Sequence, residues 1–187
     1  MAERSEFRRF GVAFSFSLLF IVPVLAQPAD SPDTLGGCSW SAAPVFPVPV
    51  LDSAATTVGG ILYSFGGVSN TVVVANSYRF NGSTWTPIAS LPAALEFPAA
   101  VNDGTNIYIL GGAAVGTGTP QTSLYRYNVA ANNYTTLASF TTGTWNHAAV
   151  YLNGKIYKFT GTGPATAYTD VLEIYDVAGN AWSLGAV

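Results

Sequence analysis

The chain repeats itself three times, and this repetition constrains its fold more than any other feature. In each copy an alanine pair is followed nine residues later by a tyrosine and, three residues beyond it, by a glycine-rich pair. The copies are Ala54-Ala55, Tyr63 and Gly66-Gly67; Ala99-Ala100, Tyr108 and Gly111-Gly112; and Ala148-Ala149, Tyr157 and Thr160-Gly161. A fixed period of about 20 to 50 residues is typical of architectures built from one small unit per repeat. We therefore expect an array of similar units.

A second set of landmarks follows each glycine-rich pair. An aromatic residue precedes Asn or Asp, and another aromatic residue comes several positions later. These landmarks are Phe80, Asn81 and Trp85; Tyr127, Asn128 and Tyr134; and Tyr175, Asp176 and Trp182. The order Gly-Gly, Tyr-Asp, Trp resembles the kelch repeat, and the resemblance covers roughly residues 38–187. It implies an all-β, kelch-type β-propeller in which each repeat forms one four-stranded blade.

The strands of each repeat can be predicted from these landmarks. Strand a is expected around the alanine pair, strand b before the glycines, strand c up to the Tyr-Asp position and strand d from the Trp or Tyr landmark. Asp103-Gly104 and Asn153-Gly154 are predicted to supply residues of positive φ to the a-to-b hairpins. The glycines after strand b are expected to let neighbouring sheets approach closely. The predicted repeats span residues 51–92, 93–141 and 142–187.

A fourth outer-strand landmark precedes the first repeat. Trp40 lies 14 residues before Ala54, which is the spacing of Trp85 from Ala99. Residues 38–50 are therefore predicted to form a lone strand d, which in kelch propellers commonly completes the last blade. Three blades and one strand are fewer than the roughly 4 to 8 blades that a ring needs. We expect an incomplete ring, which is either a piece of a six- or seven-blade protein or a chain that associates with itself.

The N-terminus has the three parts of a secretory signal peptide. Three arginines in the first nine residues precede an apolar run of 16 residues that ends in small side chains at Ala26. This run is shorter than the roughly 20 residues of a membrane-spanning helix. Residues 1–26 are predicted to be a cleaved signal, and residues 27–37 a flexible polar lead. The mature protein is expected to be secreted, or periplasmic or on the cell surface in a bacterium, without a membrane span.

Composition limits the partners that the mature chain can bind. After residue 26 it has four Lys or Arg against eight Asp or Glu, a net charge of −4 with His neutral. So few basic groups cannot neutralise many phosphates, which argues against nucleic acid as a partner. Cys38 is the single cysteine and cannot form an internal disulfide. A protein or a glycan is the expected partner, and Asn81 and Asn133 match the N-glycosylation acceptor pattern.

Candidate ligand-binding residues lie on the predicted d-to-a connections. They are Glu96, Phe97, Trp145, Asn146 and His147. In a kelch ring these connections share one face with the b-to-c loops, which here span residues 68–75, 113–122 and 162–169 and are rich in Gly, Thr, Ser and Asn. Exposed Trp with Asn and Thr could stack on and hydrogen-bond a sugar. The alternatives are that Trp145 packs between blades and that His147 is a structural residue at a strand start.

The sequence lacks the sets of catalytic residues that kelch-type enzymes need. Kelch proteins similar to galactose oxidase need two histidines, tyrosine ligands and a cysteine linked to tyrosine to hold copper, whereas this chain has one histidine. Kelch-like enzymes that process sialic acid need converging arginines or an acid–base pair, and none is evident. We expect a non-catalytic binding scaffold without a metal or cofactor. The alternative is a fragment of a kelch-type enzyme whose catalytic residues lie in further blades.

Overall fold

A computed structural model describes residues 40–114 and 119–185 of the chain. The predicted signal peptide, the polar lead and residues 38–39 lie outside the described residues. The chain divides into two units, Met1–Ser41 and Ala42–Val187. Trp40 and Ser41 are the described residues of the first unit, and neither lies in a strand. Among the described residues, no helix has the length and apolar character that crossing a membrane requires.

The second unit is all-β, and its described residues form four antiparallel sheets of two to four strands. The first sheet contains Ala54–Val58 (β1), Ile61–Phe65 (β2), Ser77–Phe80 (β5) and Trp85–Pro87 (β6), and Val68–Ser69 (β3) pairs with Val72–Val73 (β4) in a separate hairpin. The second sheet contains Ala99–Asn102 (β7), Asn106–Leu110 (β8), Leu124–Asn128 (β9) and Asn133–Thr136 (β10). The third contains Ala148–Leu152 (β11), Lys155–Phe159 (β12), Leu172–Asp176 (β13) and Ala181–Leu184 (β14), with a 3₁₀ turn at Pro164–Thr166. Each large sheet is a meander, which is compatible with a β-propeller blade.

The strand boundaries follow the sequence landmarks. Strands β1, β7 and β11 begin at the alanine pairs, and β2, β8 and β12 end immediately before the glycine-rich pairs. Each outer strand places its landmark opposite the aromatic residue of the preceding strand: Trp85 faces Phe80, Tyr134 faces Tyr127 and Trp182 faces Tyr175. The four strands predicted for each repeat are therefore present.

The two predicted a-to-b hairpin turns differ in backbone conformation. Asn153 and Gly154 both have positive φ, 50° and 78°, as expected. In the other turn only Gly104 does, with φ of 89°. The Asp103 carboxylate instead accepts hydrogen bonds from the backbone N–H groups of Thr105 and Asn106, at 2.8 and 2.6 Å. Because this side chain stabilises the turn, Asp103 does not need the left-handed region.

Consecutive sheets pack face to face, with β1 beside β7 and β7 beside β11. We call the face of a sheet that is turned toward the next repeat its front face, and the opposite one its rear face. At the first junction, Phe65 on the front of sheet one packs with Ile107 on the rear of sheet two. At the second junction, Leu110 and Ile156 pack in the same way. Burying each such side chain stabilises the fold by about 1.5–3 kcal/mol.

The glycine pairs let the backbones of consecutive sheets approach. Gly67 N–H donates a hydrogen bond to Leu95 O across the first junction at 2.8 Å, and Gly112 N–H donates to Thr144 O across the second at 2.9 Å. A Cβ at Gly111 would lie 2.6 Å from Thr144 O, closer than real Cβ atoms come to an oxygen. The structure therefore confirms the close approach that was predicted for these glycines.

Trp40 differs from the other outer-strand landmarks. It lies outside any strand, and its side chain is fully exposed. The lone strand predicted for residues 38–50 is not formed in its described part, residues 40–50. A strand is held by hydrogen bonds to a neighbouring strand, and no described strand pairs with this segment.

Residues 42–51 cover the rear face of the first sheet, and we call them the N-terminal connection. The Phe46 ring packs edge-on against the rings of Tyr78 and Trp85, with centroid distances of 5.2 and 4.6 Å. Phe46 lies eight residues before the alanine pair, as do Leu91 and Phe140 in the later repeats. The N-terminal connection therefore covers sheet one as the later connections cover sheets two and three.

Candidate functional site

The d-to-a connections meet the b-to-c loops at one edge of the sheets. Single antiparallel bridges join Leu51 to Val68, Glu96 to Ala113 and Trp145 to Thr162. The three bridges occupy the same position in each repeat, because each follows a glycine-rich pair by one residue. The predicted shared face of these two kinds of connection is therefore present in all three repeats.

One residue of each connection has a left-handed backbone. Asp52, Phe97 and Asn146 occupy the same repeat position, with φ of 59°, 53° and 52°. For residues other than glycine this region costs roughly 1–2 kcal/mol. Phe97 N–H donates a 2.9 Å hydrogen bond to Asp52 O, which links successive connections. The residue before each left-handed position, which is Leu51, Glu96 or Trp145, forms the single bridge to the b-to-c loop at the edge of the sheets.

Four of the five predicted site residues form a surface group, which we call the connection patch: Glu96, Phe97, Trp145 and Asn146. The rings of Phe97 and Trp145 are in contact, with centroids 5.0 Å apart and planes inclined by 57°. Both rings are half-buried, Glu96 is half-buried and Asn146 is exposed. Trp145 is absent from both buried clusters of the described core. Two neighbouring connections thus bring two aromatic rings into contact, and Glu96 and Asn146 are adjacent to these rings in the sequence.

His147, the fifth predicted residue, is buried instead of lining this surface. Only 9% of it is exposed, and its side chain lies against Gly111 and Gly161, where added Cβ atoms would come within 2.6 and 2.8 Å of it. Neither ring nitrogen makes a hydrogen bond of good geometry with the described residues, although backbone groups of Thr144 and Leu110 lie close enough to oppose the shift of its pKa in part. Burial and the nearby Lys158 ammonium lower the pKa of His147 to about 4. The imidazole is therefore neutral at physiological pH, and the structural interpretation fits its burial.

A buried ion pair that the sequence patterns above do not predict lies near His147. Lys158 Nζ and Glu173 Oε2 are 2.8 Å apart, and their side chains are 0% and 1% exposed. The other carboxylate oxygen accepts hydrogen bonds from Thr141 N–H and Thr142 N–H, at 2.7 and 3.2 Å. Burial lowers the pKa of Lys158, and the Glu173 carboxylate partly opposes this shift.

Lys158 is held in place by further contacts with the same connection. Its Nζ donates to Thr142 O at 3.2 Å and lies 4.6 Å from the centroid of the Phe140 ring. The charges of the pair are thus satisfied by each other and by residues 140–142. This arrangement fixes the connection to the third sheet, and both charged groups are withdrawn from solvent.

Comparison of equivalent positions in the three repeats could have predicted this ion pair. Lys158 follows the strand-b tyrosine by one residue, as Ser64 and Ile109 do, and Glu173 precedes the strand-c aromatic residue by two, as Tyr78 and Tyr125 do. Strands b and c are antiparallel, and Lys158 is the direct partner of Glu173 in the ladder. Two opposite charges at facing positions on buried strands would have predicted the contact.

The described residues contain no group of three or more His, Cys, Asp or Glu side chains placed to hold a metal ion. Comparison with known proteins gives no match for this chain, either to a family model or to a curated protein.

Proposed function

We propose that the chain is a kelch-type propeller segment that acts as a non-catalytic extracellular scaffold and binds a glycan through its connection patch. The register of the repeats supports the kelch type, since the alanine, glycine, tyrosine and tryptophan landmarks occupy equivalent positions in three four-stranded sheets. The signal-like N-terminus supports secretion. Because a fold does not define a function, the binding proposal depends on the patch itself.

The contact between Phe97 and Trp145 carries the proposal. Two half-buried aromatic rings from different connections offer an apolar surface, and the exposed Asn146, which follows Trp145 in the chain, has an amide that can both donate and accept hydrogen bonds. A sugar has the matching character, with apolar C–H faces edged by hydroxyl groups. Glu96 is the single charged side chain of the patch, so affinity for a polyanion is not expected.

A glycan array probed with the purified chain tests the proposal, followed by titration calorimetry on any glycan that binds. Trp145→Ala should weaken binding at least about tenfold, a loss of about 1.4 kcal/mol. Trp145→Phe, which keeps an aromatic face, should lose less. Unchanged affinity in Trp145→Ala would show that the connection patch is not the glycan-binding site. Binding of a protein but of no glycan would show that the partner of the scaffold is a protein.

The same preparation tests secretion and the enzyme alternative. N-terminal sequencing of the secreted chain should begin at Gln27. Metal analysis of the full-length protein should find no stoichiometric copper, and finding copper would favour the oxidase alternative over a binding scaffold.

A further inference from the structure

The connection patch is continuous in sequence with a buried histidine. Trp145 and Asn146 belong to the patch, and the next residue, His147, is 9% exposed. Its side chain lies against Gly111 of the second repeat and Gly161 of the third, at the junction of the two sheets. Because only one residue separates Trp145 from His147, the imidazole cannot leave this junction without moving Trp145.

A short segment, residues 143–147, connects two anchored parts of the chain, and we call it the histidine segment. Before it, Thr142 N–H donates a hydrogen bond to the buried Glu173 carboxylate at 3.2 Å. After it, β11 begins at Ala148. Neither anchor uses the imidazole of His147. The histidine segment is therefore the smallest part of the chain that moves when the imidazole leaves its site.

Backbone hydrogen bonds join the histidine segment to the loops of both neighbouring repeats. Thr144 O accepts from Gly112 N–H of the second repeat at 2.9 Å, and Trp145 exchanges two hydrogen bonds with Thr162 of the third at 3.0 and 2.9 Å. Release of the segment breaks these bonds. It also separates the Trp145 ring from the Phe97 ring, whose centroids are 5.0 Å apart in the closed structure.

The surroundings of His147 do not accommodate a second positive charge. The Lys158 ammonium acts on the imidazole from β12, and Lys158 is itself paired with Glu173 on β13. From the second repeat the imidazole meets Gly111, and from its own connection the Phe140 ring at a centroid distance of 6.4 Å, both uncharged. None of the described groups that act on His147 is a carboxylate. A protonated imidazole here is therefore an uncompensated buried charge, which is strongly unfavourable.

Protonation consequently favours release of the histidine segment. In the closed structure burial and Lys158 lower the pKa of His147 to about 4, whereas an imidazole released into water has the ordinary pKa of 6.5. Between these pH values the released form binds the proton and the closed form does not. The ratio of released to closed protein therefore rises as the pH falls, by about a hundredfold from neutral pH to pH 4.

We infer that protonation of His147 releases the histidine segment and separates Trp145 from Phe97, so that the connection patch binds its glycan at neutral pH and releases it in acid. The effect on binding rests on the glycan-binding function proposed above, whereas the release of the segment does not. Ser53 and Pro98 occupy the position of His147 in the other two repeats. Since neither side chain titrates, the effect is confined to the third of the three connections.

Hydrogen exchange at individual amides, followed by NMR between pH 7 and pH 4, tests the release without any ligand. Gly112 N–H, which donates to Thr144 O, reports on the histidine segment. Gly67 N–H, which donates to Leu95 O at the first junction, is the matched control. After correction for intrinsic exchange rates, protection of Gly112 should fall by about a hundredfold over this range. Protection of Gly67 should change far less.

The variant His147→Ser removes the titrating group and carries the residue of the first repeat at this position. In this variant the protection of Gly112 should be nearly independent of pH, and circular dichroism verifies that it is folded. Two results on the wild type alone would overturn the inference. Unchanged protection of Gly112 would mean that protonation does not release the segment, and equal losses at Gly112 and Gly67 would mean that acid unfolds the whole chain.

The glycan array repeated at pH 4 tests the consequence for the connection patch. Because only the closed form binds, wild-type signals should be at least about threefold lower at pH 4 than at pH 7. Signals of His147→Ser should be equal at the two pH values. Equal wild-type signals would overturn the control of binding by His147. An array without signal at pH 7 would instead refute the proposed function, and hydrogen exchange would still decide whether the segment is released.

Discussion

The ammonium of Lys158 and the carboxylate of Glu173 form an ion pair at 2.8 Å that is withdrawn from solvent between the third sheet and residues 140–142. The equivalent positions of the second repeat hold Ile109 and Tyr125, which are uncharged. The same backbone thus accommodates an apolar pair or an ionic pair at this position. The charged version requires both partners, because an unpaired charge buried there would be far more costly than either pair.

Removing one partner of the pair should destabilise the fold strongly. Lys158→Met is expected to lower the free energy of unfolding by about 3–5 kcal/mol. Lys155→Met is the matched control, since Lys155 lies on the same strand and faces Asp176 at 4.0 Å with both side chains about half exposed. That change should cost less than about 1 kcal/mol. Denaturant unfolding measures both values.

The double variant Lys158→Ile, Glu173→Tyr copies the pair of the second repeat and gives the sharper comparison. It should recover a large part of the loss seen in Lys158→Met, although the hydrogen bonds to Thr141 and Thr142 are missing. If Lys158→Met were as stable as the wild type, the pair would have no structural role.

The sequence predicted the strands well because each landmark has a local cause. Glycines at positive φ, alanine pairs and alternating aromatic residues act within one repeat, and their spacing determined the positions of all three sheets. The lone strand predicted at Trp40 is not formed in residues 40–50, since a strand also depends on a partner, which spacing does not reveal. The structural interpretation of His147 agrees with its burial, although the sequence does not show that Gly111 of the preceding repeat lies against the ring.

The buried His147 should make the stability of the fold depend on pH. The ordinary histidine pKa of 6.5 applies to the unfolded chain, whereas burial and Lys158 lower it to about 4 in the folded protein. Between these values the unfolded state binds more protons, so the free energy of unfolding falls as the pH is lowered through this window. The total loss should be about 3 kcal/mol. Denaturant unfolding at a series of pH values measures it.

His147→Ser separates this effect from the titration of carboxylates. Serine is the residue of the first repeat at this position, Ser53. The variant should show a flatter dependence between pH 4 and 6.5, which are the folded and unfolded pKa values. An unchanged slope in the variant would show that other groups cause the dependence.

Asn132 joins the first two repeats through its side chain. Its Oδ1 accepts hydrogen bonds from Tyr127 O–H at 2.8 Å and from Ala89 N–H at 2.9 Å. Asn132→Gly preserves the left-handed backbone at φ of 51° and should cost about 1–2 kcal/mol through the lost hydrogen bonds. Asn132→Asp keeps the acceptor and should cost less. Equal stability of the two variants would contradict this role.

Gly111 should tolerate a side chain far less well than another glycine of positive φ. Gly104 has φ of 89° and no heavy atom within 4 Å of an added Cβ, so Gly104→Ala should cost only the roughly 1–2 kcal/mol of the left-handed backbone. At Gly111 the Cβ would also meet Thr144 O and the His147 ring, each at 2.6 Å. Gly111→Ala should therefore cost at least about 3 kcal/mol. Denaturant unfolding of the two variants separates the cost of the left-handed backbone from the cost of the steric clash. The backbone cost is common to both variants, whereas only Gly111 lies at a junction between sheets. If both variants lost the same free energy of unfolding, the sheets could move apart at no cost. The close approach between the connection and the glycine pair would then not hold the repeats together.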